Sequence, residues 1–234
     1  MSEALETPDS RSQPSGDGRG GRREAAHYAA LDLGTNNCRL LIAAPTARGF
    51  RIVDAYSRIV RLGEGLAGAG RLQEPAMERA IAALRVCADR VKRRNVLKVR
   101  AIATQACRMA ENGPEFLDKV REETGLSLEI ITPKQEAQLS VAGCLNLFDR
   151  QGARAALVVD VGGGSTELSW VDLTDDNIDQ HVRRFAPQRL PIRAWLSIPI
   201  GVVTLAEGFP EGQMGTQAWY RAMVDHVKSK MDGP

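Results

Sequence analysis

One short pattern occurs twice in this chain and restricts its fold more than any other feature. Tyr28-Ala29-Ala30-Leu31-Asp32-Leu33 runs into Gly34-Thr35-Asn36-Asn37 and then into a second apolar stretch, Arg39 to Ala44. Further on, Ala155 to Val161 runs into Gly162-Gly163-Gly164-Ser165 and then into Thr166 to Asp172. Each copy is an apolar strand with an aspartate near its end, a glycine turn, a hydroxyl residue and a returning strand. Their aspartates, Asp32 and Asp160, stand 128 positions apart. Repetition at that distance predicts two similar half-molecules facing each other across a cleft.

The segments between and after the copies alternate in kind. FRIVDAYSRIV (50–60), LKVRAIAT (97–104), SLEIIT (127–132) and AWLSIPI (194–200) read as strands. From Glu74 to about Arg94 the apolar residues Met77, Ala80, Ile81, Leu84, Ala88 and Val91 recur at helical spacing. Pro114 opens a helix that stops at Gly125, Thr132-Pro133 opens another through Phe148, and a last helix spans Gln213 to about Lys230. LGEGLAGAG (62–70) reads as a glycine-rich loop and TDDNIDQ (174–180) as a polar link. Strands interleaved with helices mean an α/β protein with mixed sheets. We expect a solvated tail over 1–26, where Ser, Pro, Gly and Arg leave almost nothing to bury, then domains over 27–149 and 150–234.

Composition removes several chemistries. A net charge of +2 gives no bulk positive field for nucleic acid. No apolar run approaches the ~18 residues of a membrane helix, and MSEALETPDS lacks a secretory layout. Cys38, Cys87, Cys107 and Cys144 form no CxxC pair and read as reduced thiols of a cytoplasmic protein. The three histidines, His27, His181 and His226, show no metal-ligand spacing. Carboxylates, backbone amides and a hard cation are left.

An aspartate-glycine turn between strands suits those agents. Glycines bring the backbone close to a ligand and expose several N–H groups in one concavity, which favours phosphate oxygens. Gly34, Thr35, Asn36 and Asn37 in the first turn, and Gly162, Gly163, Gly164 and Ser165 in the second, are the phosphate-binding candidates. Asp32 and Asp160 can hold Mg2+ directly or through water. Glu167 lies two residues beyond Ser165 on a strand, hence on the same face. Glu136 opens a helix whose capping box is completed by Thr132 and Gln135, so capping does not require it, although a carboxylate there also complements the helix dipole. Arg108 ends a strand-to-helix turn and suits phosphate, or pairs with Glu111 or Glu115. Arg39 faces the cleft or pairs locally, and Glu64 is a loop acid that either serves the site or is merely solvated. Trp170, Trp195 and Trp219 read as packing residues, and Arg183, Arg184, Arg189 and Arg193 with Asp172, Asp175, Asp176 and Asp179 as a mixed solvated surface.

Taken in order, ALDLGTNNCRLLIA, LGEGL, ATQACRMAEN, ITPKQEAQLSVAG and VVDVGGGSTELSW resemble the exopolyphosphatase / guanosine pentaphosphate phosphatase family of the actin-like ATPase superfamily. The likeness runs from Tyr28 to about Phe209. It implies two actin-like (ribonuclease H-like) subdomains, with mixed sheets flanked by helices and a cleft between them. It also implies removal of terminal phosphate from linear inorganic polyphosphate or from the 5′ end of guanosine pentaphosphate, with Mg2+ (or Mn2+). By the same likeness Glu136 is the catalytic glutamate, Arg108 the phosphate-binding arginine, and Asp160 and Glu167 the metal-linked acids. Where the family commonly carries a second acid before the glutamate, Gln135 stands here. The family's second half is usually longer, so the second domain is expected to be short. Pairing into a homodimer is also expected. A non-catalytic polyphosphate- or alarmone-binding module and an actin-like kinase or ATPase are the alternatives, the latter wanting an adenosine-binding glycine motif that does not occur before Pro234.

Overall fold

The computed structural model describes residues 26–47, 49–148, 152–174, 190–210 and 216–232. The tail through residue 25, the link from 175 to 180, and Arg183, Arg184 and Arg189 lie outside them. The chain opens with an antiparallel meander, β1 (His27–Leu33), β2 (Asn37–Thr46) and β3 (Gly49–Ile59). It then passes through α1 (Leu66–Ala69) and α2 (Glu74–Arg93) to β4 (Val96–Ala103), which lies parallel to β1. Next come α3 (Gln105–Met109), α4 (Gly113–Thr124) and the two-residue β5 (Glu129–Ile130), parallel to the end of β4. The sheet order is β3-β2-β1-β4-β5, the mixed arrangement of an actin-like half.

Burial explains why α2 forms where its periodicity places it. Ala76, Met77, Ala80, Ile81, Ala83, Leu84 and Cys87 are buried on one side, against Leu31, Leu33, Cys38, Leu40 and Ile42 of the sheet. Arg90, Lys92 and Arg93 occupy its last turn, where the helix dipole favours cations. Phe116 and Val120 of α4 close the same core, and Gly125, at φ 71°, ends that helix in a left-handed turn.

A second core forms around α5 (Pro133–Cys144), β6 (Ala155–Val161), β7 (Thr166–Asp172) and β8 (Ile192–Ile198), the strands being antiparallel in that order. Val141 and Leu145 meet Val158 and Val171 there. The helix therefore precedes residue 150 in the chain yet packs with the sheet that follows it. On that sheet Val158, Asp160, Glu167 and Val171 alternate onto one face, apolar at one end and acidic at the other. The chain continues through α6 (Val202–Gly208) and α7 (Thr216–Met231).

Three local features depart from the sequence reading. One helical turn, α1, stands inside the expected glycine loop, bounded by Gly65 and Gly70 at φ 73° and 68°. The strand expected over 127–132 contracts to two residues, because only Ile102 and Ala103 at the end of β4 offer it partners. Trp170 and Trp195 are 47% and 41% exposed rather than packed away, whereas Trp219 donates its indole N–H to the Phe209 carbonyl at 2.8 Å. Among the described residues no helix is long and apolar enough to cross a membrane, and all four cysteines are free thiols.

Candidate active site

The loops after β1 and β6 come into direct contact. A methyl group on Gly163 would lie 3.0 Å from the Asn36 amide nitrogen, and one on Gly164 would lie 3.0 Å from Thr35 Oγ1. Backbone can approach this closely only without a side chain between. Both loops line one cavity of about 170 Å3. Its walls include Asp32, Gly34, Thr35, Asn36 and Asn37 from one half, and Asp160, Gly162, Gly163 and Ser165 from the other. Glu136, Arg39, Thr104 and Val202 complete it.

The carbonyls of both loops are tied down by hydrogen bonds to neighbouring backbone. The Thr35 carbonyl accepts from Gly63 N at 2.9 Å, and the Asn36 carbonyl accepts from Val60 N and Arg61 N at 2.8 and 3.0 Å. Across the cleft, the Gly162 carbonyl accepts from Val202 N at 3.0 Å and the Gly163 carbonyl from Val203 N at 2.8 Å. In a planar trans peptide the following N–H points opposite to the carbonyl, and no peptide here is cis. The N–H groups of Asn36, Gly163 and Gly164 are thus turned away from those partners, and among the described residues no backbone carbonyl accepts from them. Of these, Asn36 and Gly163 line the cavity, and free N–H donors of that kind suit an anion.

Charge is arranged around that cavity. Thr132 Oγ1 accepts from Gln135 N at 3.2 Å while Gln135 Oε1 accepts from Thr132 N at 2.8 Å, so the capping box is closed without Glu136. Glu136 instead receives both terminal nitrogens of Arg108 on Oε2, each at 3.3 Å, and Arg108 also donates to the Ile131 carbonyl at 2.6 Å. Burial nevertheless dominates. Together with the charges of Glu167 and Asp32 it outweighs Arg108 and pushes the Glu136 carboxyl up to about 7. Glu167, 2% exposed, is likewise raised, chiefly by burial, although the hydroxyls of Ser197 (2.8 Å) and Ser165 hold it back. Burial and the neighbouring Asp160 raise Asp32, against the lowering pull of Arg39, its cross-strand partner.

Burial is the largest cause of the upward shift in all three carboxyl groups, and Asp32 Oδ1 is buried without a hydrogen-bond partner. A buried acceptor left unpaired calls for an ion, a water or a proton. The all-oxygen donor set suits a hard divalent cation. Among the described residues no three potential ligands converge closely enough to hold a metal ion by themselves.

The structure brings together Glu136 and Arg108, and around the cavity Asp32, Asp160 and both turns. Glu167 sits beneath the cavity, opposite Asp160 in the β6–β7 ladder, rather than on its wall. Gly164 backs onto Thr35 and Gln105. Arg39 lines the cavity, while Glu64 pairs with Arg79 outside it. Arg193 pairs with Asp172. Sequence reasoning missed Gly201, where a Cβ would fall 2.4 Å from Gly163 C and Gly164 N, and Gly63, where one would fall 2.3 Å from Thr35 Cγ2. It also missed Thr104 and Gln105, which the turn from β4 into α3 places against the loops. The signal available for Gly201 was a lone glycine between an apolar strand and an apolar helix.

Two halves that each end a strand in an aspartate, and bring a glycine loop to one shared cavity, define an actin-like fold. This chain belongs to the Ppx/GppA phosphatase family, whose model matches residues 41–232. It is similar to an exopolyphosphatase-like protein of known structure, with 32% identity and a TM-score of 0.74 over 90% of this chain and 61% of that one. It is also similar to the Aquifex aeolicus PPX-GPPA enzyme, with 30% identity and a TM-score of 0.65 over 88% of this chain and 63% of that one. An exopolyphosphatase from Cytophaga hutchinsonii, 23% identical, shares the fold at a TM-score of 0.74 over 88% of this chain and 60% of that one. The chain spans about three fifths of the length of the structures it matches.

Proposed function

We propose that this protein is a phosphohydrolase that releases terminal phosphate from linear inorganic polyphosphate, from the 5′ end of guanosine pentaphosphate, or from both. The reading rests on one observation above all. Glycine turns from both halves meet around a single cavity with Glu136 in its wall.

The chain's own groups supply most of what such a reaction needs. The N–H donors of Asn36 and Gly163, both in the cavity wall, hold the oxygens of the terminal phosphate. Glu136, with its carboxyl near 7, is poised to accept a proton from water at neutral pH. The water oxygen then bonds to phosphorus as the bridging P–O bond breaks, and the bonding pair leaves with the shortened chain. Arg108 stands beside Glu136, where its guanidinium fork offsets negative charge gathering on the phosphoryl oxygens. Mg2+ or Mn2+ held by Asp32 and Asp160, with Glu167 behind them, would neutralise charge on the phosphoanhydride.

The test is phosphate release from long-chain polyphosphate and from guanosine pentaphosphate with Mg2+, comparing wild type with Glu136→Gln. Release lost in the variant while substrate still binds supports the hydrolase. Negligible release from wild type with retained binding overturns it in favour of a binding module.

A further inference from the structure

Serine is a poor choice for the middle of a helix, where its hydroxyl usually turns back on the preceding turn's carbonyl. Ser140, in the interior of α5, donates its hydroxyl to Oδ2 of Asp160 on β6 instead. It stands one turn after Glu136, so the two side chains share the face of α5 that looks toward the cleft. Val141, the next residue along, and Leu145 just past the helix end anchor the same element in the second core. One rigid element thereby carries both the candidate base and a hydrogen bond to a cavity aspartate.

Asp160 needs such a tether. It faces Glu167 across the β6–β7 ladder, and its charge is felt at both Asp32 and Glu167. The χ2 torsion of an aspartate is broad and two-fold, so repulsion from those neighbours can swing an unrestrained carboxylate away from them. We propose that Ser140 is a positioning residue that fixes the Asp160 carboxylate through Oδ2 and leaves Oδ1 for a divalent cation in the cavity. This rests on the hydrolase reading only in assigning Asp160 to the cation.

Mn2+ binding to the full chain, followed by electron paramagnetic resonance without substrate, tests the proposal separately from catalysis. Removing a hydrogen bond that orients a metal ligand typically weakens the metal about 10–100-fold. Ser140→Ala should show a loss of that size while its melting temperature, followed in the same samples, stays near wild type. Ser140→Thr, which keeps the hydroxyl, should recover most of the affinity. Equal Mn2+ affinity in wild type and Ser140→Ala overturns the proposal, as does a wild type that binds no Mn2+ or a Thr variant no better than the Ala variant. Should Ser140→Ala weaken Mn2+ in a wild-type background that releases no phosphate, the positioning role stands and the hydrolase reading falls.

Discussion

Replacing Glu136 with glutamine should move activity and stability in opposite directions. In the unfolded chain this carboxyl ionises near 4.5, whereas in the folded protein ionisation is held off until about 7. Between those values the folded state keeps a proton that the unfolded state has lost, so this group makes stability fall as pH rises and level off above about 7. At roughly 1.4 kcal/mol for each tenfold change in proton affinity, the ionised side chain costs the fold about 3 kcal/mol at alkaline pH. Glutamine removes that cost and keeps an amide oxygen that can accept from Arg108, but exchanging a charged acceptor for a neutral one loses roughly 1 kcal/mol. A net gain of about 1–2 kcal/mol should raise the melting temperature by roughly 2–8 °C at pH 8. No such gain is expected near pH 4, where both states of the wild type are protonated. Thermal melts of both proteins at the two pH values, in EDTA, read the difference directly, and phosphate release at neutral pH should fall about 10²–10⁴-fold. If Glu136→Gln melts below wild type at pH 8, or differs from it equally at both pH values, the account of this carboxylate is wrong.

The remaining expectations concern its neighbours. Arg108 is what holds the Glu136 carboxyl down, so Arg108→Ala should shift the rising limb of the pH–rate profile to higher pH and raise KM; a superimposable profile refutes the pairing. Gly201→Ala forces a Cβ to within 2.4–2.5 Å of backbone in the second loop, which should cost roughly 1–3 kcal/mol and about a hundredfold in turnover as Gly162 to Gly164 shift. An alanine variant with wild-type melting and kinetics would show that α6 does not brace that loop. EDTA should abolish phosphate release and added Mg2+ restore it; release indifferent to EDTA removes the cation from the cavity.

Much of the fold was legible because the forces that build it act between near neighbours in the chain. The apolar period of α2, the alternation in β7 and the Thr132–Gln135 capping box each involve residues a few positions apart. The double aspartate-glycine turn likewise pointed to two halves, and the loops do meet. What stayed hidden depends on distant partners. Arg108 had Glu111 and Glu115 close by in sequence, yet it pairs with Glu136, because β4 and α3 carry it under the carbonyl end of β5 where α5 begins. Glu111 is taken by Arg71 instead. Glu167 could be assigned to a face, but its near-complete enclosure follows from α5 and β8 covering that face.

Strand, turn and helix starts, together with the residue types able to grip phosphate, were thus set by the order of amino acids alone, since period and capping are short-range properties. The meeting of the two loops at one cavity, the raised carboxyl of Glu136 and the bond from Ser140 to Asp160 were decided only by the folded chain. Dehydration and through-space charge depend on which groups are brought within a few ångströms, whatever their separation in sequence.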